Sequence, residues 1–166
     1  VDKSGEKPTR ECITNSNVQL RTDLMFIGEY QHNMDDKGRL AIPTKFRASL
    51  KKAVVTRGID NCLCVYTMEE WEKVAVKLAA LPVGQANNRA YSRLMLAGAM
   101  DFELDAQGRA VLPEYLRKYA GLHKEVVVAG LYNRLELWDK HTWEQYKQKS
   151  EKHSEAIAEQ LGSLGV

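Results

Sequence analysis

The sequence predicts an α+β protein built from two tandem β-β-α-β-β-α repeats that pack about a pseudo-twofold axis into one barrel-like body. Three observations carry that prediction. "FIGEYQHNMDDKGRLAIPTKFRASL" (26–50) lies over "LAGAMDFELDAQGRAVLPEYLRKYA" (96–120) at a constant shift of 70. "AVVTRGIDNCLCVYTMEEWE" (from 53) then lies over "EVVVAGLYNRLELWDKHTWE" (from 125) at a shift of 72. Self-similarity at a fixed period marks a duplication. A unit of about fifty residues is too small to bury a stable core alone, so the two copies are expected to share one.

The elements follow in order. Residues 28–34 and 98–104 alternate weakly, as strands do. Each feeds a short loop, "DDKG" or "DAQG", whose glycine suits the left-handed backbone of a hairpin turn, and "RLAI" or "RAVL" returns as the second strand. Pro43 and Pro113 fit the first turn of a helix, where proline's missing N–H is not needed. "PTKFRASL" and "PEYLRKYA" are therefore read as short helices, the second ended by Gly121. "AVVTRG" and "NCLCVYT" are β-branched, apolar strands joined by a Gly-Ile-Asp-Asn turn, with counterparts "EVVVAG" and "NRLELW". Thr67 and Glu70 make a capping box for a longer helix that carries Trp71, Val74, Leu78 and Leu81 at helical spacing. Asp139 is expected to cap a helix running through "WEQYKQKSEKHSEAIAEQL". The first repeat is placed at 25–81, a linker and helix at 82–95, and the second repeat with its C-terminal helix at 96–161. Residues 1–24 are polar, lack the apolar core of a signal peptide, and are expected to form a disordered extension.

Composition excludes more than it selects. A net charge of +2 and a pI near 8.4 name no partner, so any nucleic-acid affinity must come from local clustering. No apolar run spans a bilayer, so no membrane partner is expected. Cys62 and Cys64 share a strand face, but the second repeat has Arg134 and Glu136 in their places. No Cys-x-x-Cys or His pair completes a ligand set, so they read as reduced thiols of a cytoplasmic protein, with no metal or cofactor. Asp35, Asp36, Asp105, His32, His123, His141 and His153 have no partners at motif spacing. There is no Gly-rich phosphate loop and no nucleophile elbow, so neither a catalytic residue nor a small-molecule substrate is expected.

What remains is the repeated loop. Asp35 and Asp105 stand four residues before Arg39 and Arg109 across Gly38 and Gly108, and are expected to organise the loop or aim the arginine. As a bare exposed ion pair, each would contribute only about 0–1 kcal/mol. Lys37, Arg39, Lys45, Arg47, Lys51 and Lys52 gather positive charge around the first tip. The second has Arg109, Arg117 and Lys118, but Gln107 and Glu114 replace Lys37 and Thr44. A protruding two-stranded ribbon fits the major groove, where Arg bonds guanine O6 and N7 in pairs and Lys neutralises phosphate. Double-stranded DNA is the expected partner, contacted by Arg39, Lys37, Arg109, Lys45 and Arg47, with the first loop dominant.

The D-x-x-G-R-x-x-[IL]-P pattern in both loops resembles the AbrB-like, swapped-hairpin DNA-binding modules. Two copies in one chain, opened by "MFIGEYQHNMDDKGRLAIP" and each followed by a Trp-bearing helix, are similar to the MraZ family over about residues 25–160. That resemblance implies a double-split, swapped-hairpin β-barrel with peripheral helices. It also implies a nucleoid-associated transcriptional regulator that binds short tandem repeats upstream of the division and cell-wall gene cluster, its own promoter included. It implies assembly into a ring-shaped homo-oligomer, with Arg39 touching DNA. Protomers joined head to tail would meet direct repeats about one helical turn, roughly 10 bp, apart, with Arg89 and Arg93 serving packing and assembly. A protein-binding module of the antitoxin (AbrB/MazE) type is the alternative, because the same hairpin architecture serves there too.

Overall fold

Residues 25–165 are described by a computed structural model; the extension expected over 1–24 lies outside them. The first repeat contributes β1 (Phe26–Asn33), β2 (Arg39–Ala41), β3 (Lys52–Arg57), β4 (Leu63–Thr67) and α1 (Met68–Ala79). A linker helix, α2 (Ala86–Ser92), runs into a π-helical turn at Arg93–Ala97. The second repeat contributes β5 (Met100–Glu103), β6 (Arg109–Val111), α3 (Glu114–Tyr119), β7 (Glu125–Tyr132), β8 (Leu135–Asp139), α4 (Lys140–Lys152) and α5 (Ser154–Leu161).

The strands form one six-stranded antiparallel sheet in the order β1-β7-β8-β4-β3-β5, and a separate two-stranded ribbon, β2-β6. Read from the middle, β8 meets β4, β7 mirrors β3, and β1 mirrors β5, which is the pseudo-twofold relation expected of a duplication. Each outer strand crosses to the other repeat: β1 pairs with β7, and β5 pairs with β3. The local hairpin read from "HNMDDKGRLAI" is thus corrected. Within it only a single bridge, Met34 to Leu40, joins the two arms. β2 takes its ladder partner from β6 instead. The two repeats exchange their hairpins, and neither completes its sheet without the other.

One continuous core lies between ribbon and sheet. Leu40, Ile42 and Leu112 from the ribbon side meet Val55, Leu63, Val65, Val126, Leu135 and Leu137 of the sheet, all essentially inaccessible. Each such side chain contributes about 1.5–3 kcal/mol on burial. In β7 it is Val126 and Val128 that face this core, where a uniform shift of 72 from Ala53 and Val55 would choose Glu125 and Val127. The second hairpin turn is one residue shorter: Arg57 pairs with Leu63, but Gly130 pairs with Leu135. β7 therefore sits at a shift of 73, and β8 returns to 72. A one-residue slip exchanges the faces of a strand, and burial enforces the register seen.

Two helices also differ from expectation. "PTKFRASL" is a single 3-10 turn, Thr44–Phe46, followed by hydrogen-bonded turns, whereas "PEYLRKYA" is the α-helix α3. Glu114 and Lys118 bridge at 2.7 Å one turn apart in α3, and Leu122 N–H closes onto Arg117 O past Gly121. The first copy has Thr44 and Ala48 in place of that pair and no glycine stop. The long C-terminal helix breaks at His153, because its Nδ1–H takes the Lys149 carbonyl at 2.9 Å. The His153 backbone N–H is left to bond Ser150 O instead. Thr67 and Asp139 cap α1 and α4 as expected, bonding Glu70 N–H, and His141 and Thr142 N–H, respectively. Leu78 is buried, while Leu81 lies past the end of α1.

Candidate nucleic-acid interface

The β2-β6 ribbon has two faces. Leu40 and Ala110 point into the core, so alternation turns Arg39, Ala41, Arg109 and Val111 outwards. Arg39 lies opposite Val111 and Arg109 opposite Ala41, so the two arginines occupy diagonal corners of one exposed face. Diagonal neighbours of this kind stand about 7–8 Å apart. Two loops that are 70 residues apart in sequence therefore place their arginines on the same exposed face, one towards each end of the ribbon.

The loops are built alike, atom for atom. Asp35 Oδ1 accepts the N–H groups of Lys37 (3.0 Å) and Arg39 (2.9 Å), and Oδ2 accepts Arg39 Nε–H at 2.6 Å. Asp105 does the same for Gln107 (2.9 Å), Arg109 (2.9 Å) and Arg109 Nε–H (2.8 Å). Gly38 and Gly108 N–H close each turn onto the aspartate carbonyl at 2.9 Å. Donation from the arginine backbone N–H comes first and, joined by the guanidinium, outweighs an opposing desolvation, so both carboxylates are held below their usual range. Each aspartate thus organises its turn and fixes the azimuth of its arginine.

Nε is the only guanidinium nitrogen the carboxylate takes, and the terminal amino groups keep four donors. Among the described residues nothing else bonds either guanidinium. About a third of the Arg39 side chain and a quarter of Arg109 stay accessible, at 33% and 26%. An arginine anchored through Nε presents its end-on donor pair, the geometry that matches guanine O6 and N7. Holding it in advance also reduces the side-chain entropy lost on binding.

The other candidates fall in different places. Lys37 is exposed at the first tip beside Asp36. Lys45 is exposed, donates to Ile27 O at 3.0 Å and lies over the rings of Tyr30 and Phe46. Arg47 is half-buried and donates through Nε to Ile42 O at 2.8 Å, beneath the opposite loop. Its charge, added to burial, lowers the pKa of His32 on β1. Arg117, at the same shift of 70, donates to Leu112 O at 3.0 Å. Arg89 closes the linker through a bond to Val83 O at 2.7 Å, and the π-helical turn is tied to β3 by Thr56 and Arg57.

Gly38 has φ +75° and Gly108 +74°. A Cβ on Gly38 would lie 2.8 Å from Arg117 Nε, and one on Gly108 would lie 2.5 Å from Arg47 Cδ. Both glycines are required twice over, by the left-handed backbone and by the arginine packed against them. Ile42 N–H bonds Gly108 O and Leu112 N–H bonds Gly38 O, so each loop is braced by the other repeat. The repetition of Arg47 as Arg117 was a signal of this brace available in the sequence.

No helix among the described residues is long and apolar enough to cross a membrane. The family described as "MraZ protein, putative antitoxin-like" matches residues 25–94 and again 95–163. A "Transcriptional regulator MraZ" of Acetivibrio thermocellus is 47% identical over 143 residues, which cover 86% of this chain and the whole of the relative. The protein of the same name from Halothermothrix orenii is 50% identical over the same span and coverage.

Proposed function

This chain belongs to the MraZ family, and we propose that it is a sequence-specific, DNA-binding transcriptional regulator. The observation that carries the reading is the diagonal pair Arg39 and Arg109 on the outward face of the β2-β6 ribbon, each aimed by its own aspartate. The names of the two relatives support it from a separate direction. The ribbon enters the major groove, Arg39 and Arg109 read guanine edges, and Lys37 meets phosphate.

Each tip is electrically balanced: Asp35 and Asp36 against Lys37 and Arg39, Asp105 against Arg109. A single chain therefore supplies little counterion-release energy, and useful affinity requires several copies acting together. A ring-shaped homo-oligomer bound to tandem direct repeats upstream of the division and cell-wall gene cluster, its own promoter included, meets that requirement. Footprinting of the DNA just upstream of the protein's own gene tests the reading. Protection recurring about every 10 bp is expected; no localised protection at any concentration below the onset of nonspecific coverage overturns it.

A further inference from the structure

The face of the sheet turned away from the core holds a cluster that the DNA reading does not use. β4 and β8 meet with Cys64 directly opposite Glu136, at the pseudo-twofold axis. Cys62, two residues before Cys64, turns its sulfur to the same side. The two Sγ atoms and a Glu136 carboxylate oxygen all lie within 4.8 Å of one another. Both cysteines are buried, at 1% and 5% accessible, and free of any disulfide. Cys64 and Glu136 line a cavity of about 420 Å³ together with Tyr66, Arg134, Trp138 and Trp143.

We propose that Cys62, Cys64 and Glu136 bind a zinc ion, with the fourth position open to the cavity. Two thiolates and a carboxylate are a zinc donor set, and a tetrahedral ion with Zn–S near 2.3 Å needs its sulfurs about 3.8 Å apart. The observed separations, none above 4.8 Å, are of that order. A carboxylate among the donors favours zinc over cuprous ion, which prefers sulfur alone. Arg134 bonds Glu136 Oε1 at 3.0 Å and Trp138 Nε1–H bonds Oε2 at 3.1 Å, so the third donor is already oriented by outer partners, as ligating carboxylates are. The charges also close. Two thiolates and a carboxylate against a divalent ion leave one negative charge, and Arg134 neutralises it. Binding releases the two thiol protons to solvent. Because Cys62 and Cys64 come from the first repeat and Glu136 from the second, the ion would bridge the seam between them.

Cobalt(II) titration of the reduced full-length chain tests this, carried out in the wild type and in Cys12→Ser so that the remaining cysteine is controlled. Expected are intense visible bands of a tetrahedral cobalt thiolate, saturating at one ion per chain in both proteins and bleached by equimolar zinc. Cys64→Ser should abolish the bands. Glu136→Gln, which leaves both sulfurs in place and is checked for native circular dichroism, should weaken cobalt uptake by about tenfold or more. Absence of bands in wild type, bands lost in Cys12→Ser, or bands unchanged in Cys64→Ser each overturns the proposal.

Discussion

The guanidinium of Arg47 packs against Gly108, a residue of the opposite repeat, and leaves no room there for a Cβ. Arg117 stands in the same relation to Gly38. Each arginine also ties down the carbonyl of a core residue, Ile42 or Leu112, whose N–H is bonded to the glycine it covers. The two Asp-x-x-Gly-Arg loops are therefore coupled through one another.

The brace makes a crosswise prediction. Arg47→Ala should perturb the amide resonances of Gly108 and its loop more than those of Gly38, although Arg47 follows the first loop in sequence. Loss of a charge-assisted bond to a buried carbonyl should cost about 1.5–3 kcal/mol in denaturant unfolding. Shifts confined to residues near 38 would contradict the exchange of braces.

Gly38→Ala and Gly108→Ala should each destabilise by about 1–3 kcal/mol, because left-handed backbone strain adds to displacement of an arginine. Far-ultraviolet circular dichroism should keep its native form, since the core beneath is intact. Thermal midpoints equal to wild type would show that the turns tolerate a side chain.

The aspartates set a pH limit. Both folded-state values are depressed from the ordinary 3.8, so the loops' contribution is fully present above that pH and is lost as pH falls through the lower folded values. Carbon-13 carboxyl titration should place Asp35 and Asp105 below the usual carboxylate range. In Arg39→Ala, Asp35 should move only part of the way back, since backbone N–H donation comes first among the causes. A full return to the ordinary value would show that the guanidinium alone holds it.

Asp139→Ala should cost about 1–2 kcal/mol, the upper part of the range for an N-cap. Asp139 is nearly buried and also accepts from His123, at 3.0 Å from its Nδ1. Burial would raise its pKa, but the bonds from His123 and from the Thr142 and His123 N–H groups outweigh it and keep it ionised. Urea unfolding of Asp139→Asn, which still caps, should show the smaller loss; equal losses would mean that the His123 bond dominates.

Local chemistry was legible in the sequence and cross-repeat chemistry was not. The doubled Asp-x-x-Gly-Arg announced two equivalent turns, and the Thr67 and Asp139 caps could be read because their partners lie within four residues. The exchange of β1 and β5 left no trace in the strands themselves, since a strand's pattern gives its faces and not its neighbour, and was expected only through the resemblance to swapped-hairpin modules. Arg47 looked like part of a basic patch, because only the fold reveals that its charge faces Gly108. Glu136 stood 72 residues from Cys64 as its repeat counterpart, and the counterpart relation hid the possibility of contact. At a twofold axis, equivalent residues touch.

The most direct test of the account is fluorescence anisotropy with DNA from upstream of the protein's gene, comparing wild type with Arg39→Ala, Arg109→Ala and the double variant. Each arginine that reads a base in bidentate fashion is worth about 1–3 kcal/mol. Arg39→Ala is therefore expected to lose about tenfold in affinity or more, Arg109→Ala less, and the double variant the most, with circular dichroism unchanged. Wild-type affinity in the correctly folded double variant would contradict the claim that the ribbon's arginine face binds DNA.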